Sequence, residues 1–132
     1  MTQFGECAIC ATEKMKNNTC DDPRKAWDIC IFKLSKSEEV RKKSCPRNAF
    51  LGLCEEGLVR GVEPGKYNTK SFNNKEKEYA FDALKILYKT SQPITSLKLW
   101  RQIVGNDKAH NSQMDVVLSL WENDLIIKEN IN

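Results

Sequence analysis

Apolar residues recur along this chain at spacings of three and four, the period of a helix with one buried face. Residues 3–16 put Phe4, Cys7, Ala8, Ala11 and Met15 on one side of such a helix. Asp21, Asp22 and Pro23 predict a second start: an acidic cap, then a proline in the first turn, where its missing N–H costs nothing. The helix that follows carries Trp27, Ile31 and Leu34, with Ala26 and Cys30 beside them. A charged connector runs from Ser35 to Lys43, and Ser44-Cys45-Pro46 opens a third helix through Ala49, Phe50, Leu53 and Cys54. Gly57, which tolerates the left-handed conformation, stops it. Leu58 to Val62 reads as a short strand, and Glu63-Pro64-Gly65-Lys66 as a turn.

The same order then returns. Residues 75–90 predict a helix with Tyr79, Ala83, Leu84, Ile86 and Leu87, which Pro93 ends. Thr95 or Ser96 caps the next, with Leu99, Trp100, Ile103 and Val104, and Gly105-Asn106-Asp107 ends it. Asn111 or Ser112 opens the last, with Val116, Val117, Leu120 and Trp121, and Leu125-Ile126-Ile127 reads as a terminal strand after a turn at Asn123-Asp124. The return is residue by residue. Phe50 to Val59 aligns with Val117 to Ile126 without a gap, and Leu51, Leu53, Glu55 and Leu58 meet identical residues. Ala26-Trp27 meets Leu99-Trp100, Cys30 meets Ile103, and Ala8, Ala11 and Met15 meet Ala80, Ala83 and Leu87.

These matches predict a mainly α protein of two tandem, diverged helix-helix-helix-strand units, packed as one compact domain. The boundaries fall at residues 1–65 and 76–132, with an Asn- and Lys-rich linker over 66–75. A third helix that hands over through a turn to Leu-Val or Leu-Ile resembles a helix-turn-helix or winged-helix unit. In the second unit Leu97 to Val104 and Asn111 to Glu122 would be the two helices of the motif. A plain bundle of helix pairs fits the same pattern, and fold alone does not settle function.

Composition narrows the class. The chain has 132 residues, enough to bury a core without a disulfide or metal. Its net charge is only +3, so it is neither a basic arm nor an acidic tail. Met1 to Glu6 shows no basic start followed by an apolar run, and no apolar stretch reaches the ~20 residues of a membrane helix. A cytoplasmic protein is expected, with its six cysteines reduced.

Candidate chemistry is sparse. Cys7 and Cys10 form a C-x-x-C, followed by Cys20, Cys30, Cys45 and Cys54, but the pair lies inside a helix and no second close pair or paired histidine accompanies it. Tetrahedral zinc sites recruit two close pairs, so no metal is expected. Cys30 and Cys54, which meet Ile103 and Trp121 in the other unit, read as small core residues. Trp27, Trp100 and Trp121 fall on apolar stripes, with Trp121 the most exposed of the three. His110 is the only histidine, and no nucleophile elbow, zincin motif, phosphate loop or dinucleotide fingerprint occurs. Neither an enzyme nor a cofactor or small-molecule substrate is expected.

One segment stands out by charge. Lys33, Lys36, Arg41, Lys42, Lys43 and Arg47 face only Glu38 and Glu39, just before and inside the first turns of the third helix. A helix amino terminus with Arg47 and Asn48 suits phosphates and base edges. The sequence therefore predicts a non-enzymatic binding module that takes nucleic acid, DNA in the first place, through Arg41, Lys42, Lys43, Arg47 and Asn48. Lys66 and Lys70 are added from the turn and linker. The alternative is a protein-interaction or adaptor module that binds a partner or a second copy of itself; a membrane partner is not expected. The second unit has only Ser112, Gln113 and Asp115 at the matching place, so binding belongs to the first.

The stretch from Cys45 to Val59, Cys-Pro-Arg-Asn-Ala-Phe-Leu-Gly-Leu-Cys-Glu-Glu-Gly-Leu-Val, with Ala109 to Val117 downstream, resembles a family of uncharacterised bacterial proteins carrying a domain of unknown function. The resemblance spans roughly Pro23 to Ile126 and implies a bacterial context, with no activity, cofactor or catalytic residue attached to it.

Overall fold

The computed structural model of the protein describes residues 2–67, 75–106, 108 and 112–131. Helices α1 (Gln3–Lys16) and α2 (Pro23–Leu34) come first, then a single turn α3 (Glu38–Arg41) and α4 (Ser44–Glu55). Beyond residues 68–74 lie α5 (Lys75–Lys89), α6 (Ser96–Val104) and α7 (Gln113–Glu122), with a 3-10 turn at Lys128–Asn130.

Local chemistry sets these ends. Thr2 caps α1 by accepting the Gly5 N–H, and Asp22 caps α2 by accepting the Arg24 N–H, with Pro23 in the first turn. Thr95 caps α6 by accepting the Lys98 N–H, and Gly105, at φ 76°, ends that helix. Ser112 precedes α7 at φ 72° and makes no side-chain cap bond. The connector contains a turn of helix that periodicity does not reveal, since four residues are too few to show it. Ser37 caps α3 by accepting the Val40 N–H.

The core is a helical stack with α4 and α7 at its centre. Every residue from Ala49 to Cys54 is buried, as are Val116 to Leu120. The two central helices pack on each other. Their covers are exchanged between the halves of the chain: α1 lies on α7, and α5 lies chiefly on α4. α2 is held mainly by α1, the most extensive helix pair in the molecule. Trp27 stacks obliquely on Phe50 at 5.4 Å, and Tyr79 meets Trp100 edge-on at 5.0 Å. Trp27 and Trp100 are buried, while Trp121 is half-buried beneath the Lys128 ammonium.

Both exchanged seams are close. A Cβ on Gly5 of α1 would collide with the Ser119 hydroxyl of α7, and one on Gly52 of α4 would lie 2.7 Å from Lys77 Cβ of α5. Each seam therefore has one glycine that lets the backbones approach.

The ends of α4 and α7 are built alike. After α4, Gly57 (φ 70°) donates to Cys54 O and Leu58 donates to Leu53 O. After α7, Asp124 (φ 57°) donates to Trp121 O and Leu125 donates to Leu120 O. Both are Schellman caps, which satisfy the last carbonyls of a helix. The two exits then pair: Val59 and Ile126 form an antiparallel bridge, with Arg60 N–H donating to Leu125 O and Ile127 N–H to Leu58 O.

This bridge corrects the expected strands. Leu58 to Val62 and Leu125 to Ile127 pair over one residue each, and no strand or wing forms among the described residues. The reason is local. Val62 N–H closes a turn onto Val59 O with Gly61 at φ 82°, and Asn130 N–H turns back onto Ile127 O. The chain leaves the bridge on both sides before a second residue pair can form.

A second correction concerns the cysteines expected to be reduced. Cys10 of α1 and Cys30 of α2 are joined as a disulfide, with Cα atoms 6.1 Å apart. Packing α1 against α2 brings together two residues 20 positions apart, which no sequence spacing announces. Cys7, Cys20, Cys45 and Cys54 are free thiols.

Candidate functional site

The basic residues singled out by sequence do not converge on an open groove. Two of them, Arg41 and Arg47, reach to α2. Arg41 Nε donates to Ser35 O at 2.7 Å and its NH2 group to Phe32 O at 3.0 Å, closing the last carbonyls of α2. Its guanidinium carbon sits 3.7 Å above the Phe32 ring. Arg47 reaches from α4 back to α2 and grips Asp28 at two points, 3.0 and 3.3 Å. Lys42 pairs with Glu38 at 3.3 Å, one turn away on α3. Lys43 occupies the cap position of α4, its ammonium 5.6 Å above the Phe4 ring. Asn48 is half-buried and Lys66 exposed, while Lys70 lies outside the described residues.

The burial of α4 bears on groove reading. A helix-turn-helix recognition helix touches base edges with its N-terminal residues. From Ala49 to Cys54 this helix is buried, and its first two turns leave only Ser44 exposed, with Cys45, Arg47 and Asn48 partly so. α7 is equally enclosed.

The outer side of α2 is open, and large apolar residues are also exposed at Tyr88 of α5 and Leu97 of α6. Ala26, Trp27, Cys30 and Ile31 face the core, and Lys25, Asp28, Ile29, Phe32 and Lys33 face solvent. Ile29 is 42% and Phe32 63% exposed. Three residues apart, they share one face of the helix. Lys33, one turn after Ile29, and Lys36, just beyond the helix, are exposed and in no ion pair among the described residues, and Arg41 stacks on the Phe32 ring. Ile29 and Phe32 were missed in the sequence because the core stripe of α2 was already complete without them. The signal was present as apolar residues on the side where the helical period calls for polar ones.

Other polar clusters have structural roles. Lys77 Nζ bonds Glu56 at 2.8 Å and Glu55 at 3.3 Å, and the second Glu55 oxygen accepts the Tyr67 N–H at 2.9 Å. Burial by itself would lower the Lys77 pKa; the hydrogen bonds and charges of the two glutamates outweigh it and raise it. The network ties α5 to the end of α4 and to the segment after it. Trp100 Nε1 donates to Lys108 O, and Lys108 Nζ to the Tyr79 hydroxyl, pinning the chain after α6. Burial, with the nearby Asp28 charge, pushes the Cys7 thiol far up, and burial, with Glu55, does the same for Cys54. Neither is an activated nucleophile. No cluster of three metal-ligating side chains occurs among the described residues, and His110 lies outside them. Among the described residues lie shallow grooves of about 350 Å³ along α5 and about 440 Å³ between Thr2, Ser96 and α7. In the second, Asp115 already accepts the Ser96 hydroxyl at 2.6 Å. Among the described residues no helix is long and apolar enough to cross a membrane.

The chain belongs to a family of unknown function (DUF6979), which it matches over residues 1–127. No curated protein and no solved structure matches it.

Proposed function

We propose that this member of the family is a non-enzymatic protein-interaction module, cytoplasmic and bacterial, that docks an acidic segment of another protein across the outer face of α2 and α3. The observation that carries this reading is Phe32. It is a large aromatic ring left open on a helix face, with a guanidinium stacked on it and, nearby in the chain, Lys33 and Lys36, which are exposed and in no ion pair among the described residues. Aromatic and arginine side chains supply most binding energy at interfaces. Lys33 and Lys36 favour carboxylates on the partner and disfavour basic ones. Ile29 extends the apolar strip by one turn, enough to seat an apolar residue flanked by acidic ones.

The test is a selection from a random peptide library on the intact protein. Peptides with an apolar anchor between Asp or Glu residues are expected, and binding is expected to weaken about tenfold or more with Phe32→Ser. Basic peptides, or binding indifferent to Phe32→Ser, would sink the reading.

A second reading keeps nucleic acid as the ligand. It is favoured by the exposed Lys33, Lys36, Lys42 and Lys66, and by the amino end of α4, which has no side-chain cap. Arg41, Lys43, Arg47 and Asn48 would then support rather than read. Affinity for mixed-sequence duplex DNA that falls steeply with salt is the result this reading requires.

We also propose that the chain is two diverged copies of one unit that have exchanged their first helices. The support is a set of coincidences at the sequence offset between the copies. The Schellman caps of α4 and α7 match, the bridge hydrogen bonds are reciprocal, and each seam pairs equivalent positions, Gly5 with Ser119 and Lys77 with Gly52.

A further inference from the structure

We infer that Cys10 and Cys30 form a reversible thiol–disulfide exchange site for low-molecular-weight thiols and disulfides, and that its state sets how firmly α2 is held. Two observations support it, together with the cytoplasmic setting proposed above. The bond joins a partly exposed residue, Cys10, to a completely buried one, Cys30. An incoming thiolate therefore has a single point of attack. The positions that correspond to Cys10 and Cys30 in the second half of the chain are Asp82 and Ile103, and there, without a bond, α5 and α6 touch far less than α1 and α2 do. In a reducing cytoplasm such a bond forms transiently and reports oxidation rather than acting as a permanent staple.

The exchange balances in two steps. A low-molecular-weight thiolate attacks Cys10 Sγ, forming a mixed disulfide as the bond to Cys30 breaks; the Cys30 sulfur leaves as thiolate and takes up a proton. A second thiolate attacks the small-molecule sulfur of the mixed disulfide and releases the Cys10 thiolate, which takes up a proton, together with the oxidised small disulfide. Oxidation by that small disulfide is the reverse. Cys7, one turn from Cys10 on α1, donates its S–H to Trp27 O at 3.4 Å and stays protonated, so it does not compete as a resolving thiol.

The structural consequence falls on α2. That helix is bound to the molecule chiefly through α1, and Cys30 lies next to Ile29 and two residues from Phe32. Opening the bond leaves α2 held by packing, by hydrogen bonds from Gln3 to Leu34 O and from Cys7 to Trp27 O, by the Arg47–Asp28 pair and by Arg41. Regulation of docking by this route rests on the α2 face proposed above, but the site itself does not.

Full-length protein equilibrated in glutathione buffers of graded poise, then denatured and alkylated, tests this. Four alkylatable thiols are expected at the oxidising end and six at the reducing end, in one two-electron transition, with peptide mapping linking Cys10 to Cys30. Hydrogen exchange of amides in residues 23–34 is expected to speed up about tenfold or more on reduction, with α4 and α7 unchanged. Cys10→Ser is expected to show the reduced behaviour at every poise, and Cys20→Ser to behave as wild type. Six alkylatable thiols at the oxidising end, a different linkage, or equal α2 exchange in both states would overturn the proposal. None of these readouts involves a partner, so failure here leaves the docking reading standing, and failure of docking leaves this one.

Discussion

Single side chains do unequal work in this protein, and the difference is one of partners. Arg41 has the sequence position of a nucleic-acid contact, yet its donors go to Ser35 O and Phe32 O. Arg41→Ala is therefore expected to destabilise the protein by about 1–2 kcal/mol, because it leaves carbonyls at the end of α2 without their charged donor. Thermal melting checks this. Asp22 is a second case. The hydrogen bond from the Arg24 side chain holds its carboxyl below the usual range against the opposing effect of burial, and it caps α2. A lowered folded-state pKa adds stability above the unfolded value, lost as pH falls through the folded one. Asp22→Ala should cost about 1 kcal/mol near neutral pH, and the gap from wild type should close below about pH 4. A constant gap across an acid titration would count against this assignment. Lys77 has the opposite sign. Its raised pKa adds stability below the unfolded value of about 10.4 that is lost as pH rises beyond it, so Lys77→Met should flatten the alkaline limb of the stability curve.

Elements obey simple rules except where they touch. Periodicity, with Asp22-Pro23, Thr95, Gly57 and Gly105 as punctuation, was enough to place the long helices, because caps and apolar stripes are local properties. α3 escaped notice: what fixes it is Arg41 reaching back to α2, a contact six and nine residues away. The strands failed for a related reason. Leu58 to Val62 has strand composition, but the turn at Gly61 limits it to one bridging residue. The seams give an element-scale test. Alanine has the better helix propensity by roughly 1 kcal/mol, so Gly52→Ala in an isolated helix would stabilise. Here the new Cβ would meet the Lys77 side chain and backbone, and a net loss of about 1–2 kcal/mol is expected by chemical denaturation. A gain in stability would mean that the α4–α5 seam is looser than 2.7 Å implies.

For the molecule as a whole, burial decides where binding can occur. The basic stretch was visible in sequence, but not that α4 would be the centre of the stack. That depends on α5 and α7 closing over it, contacts between halves of the chain that no local pattern encodes. Once α4 is enclosed, binding is left to the outer helix faces, and among these α2 shows two exposed apolar residues on one face, Ile29 and Phe32. The same long-range packing hid the Cys10–Cys30 pair. Amide chemical shifts of the isotope-labelled protein, followed during titration with a library-selected acidic peptide and separately with a short DNA duplex, put the central claim to the most direct test. Peptide-induced shifts clustered over residues 29–41, and lost in Phe32→Ser, are the expected result. Shifts confined to residues 43–48 and Lys66 with DNA, while residues 29–41 stay unmoved by peptide, would contradict it.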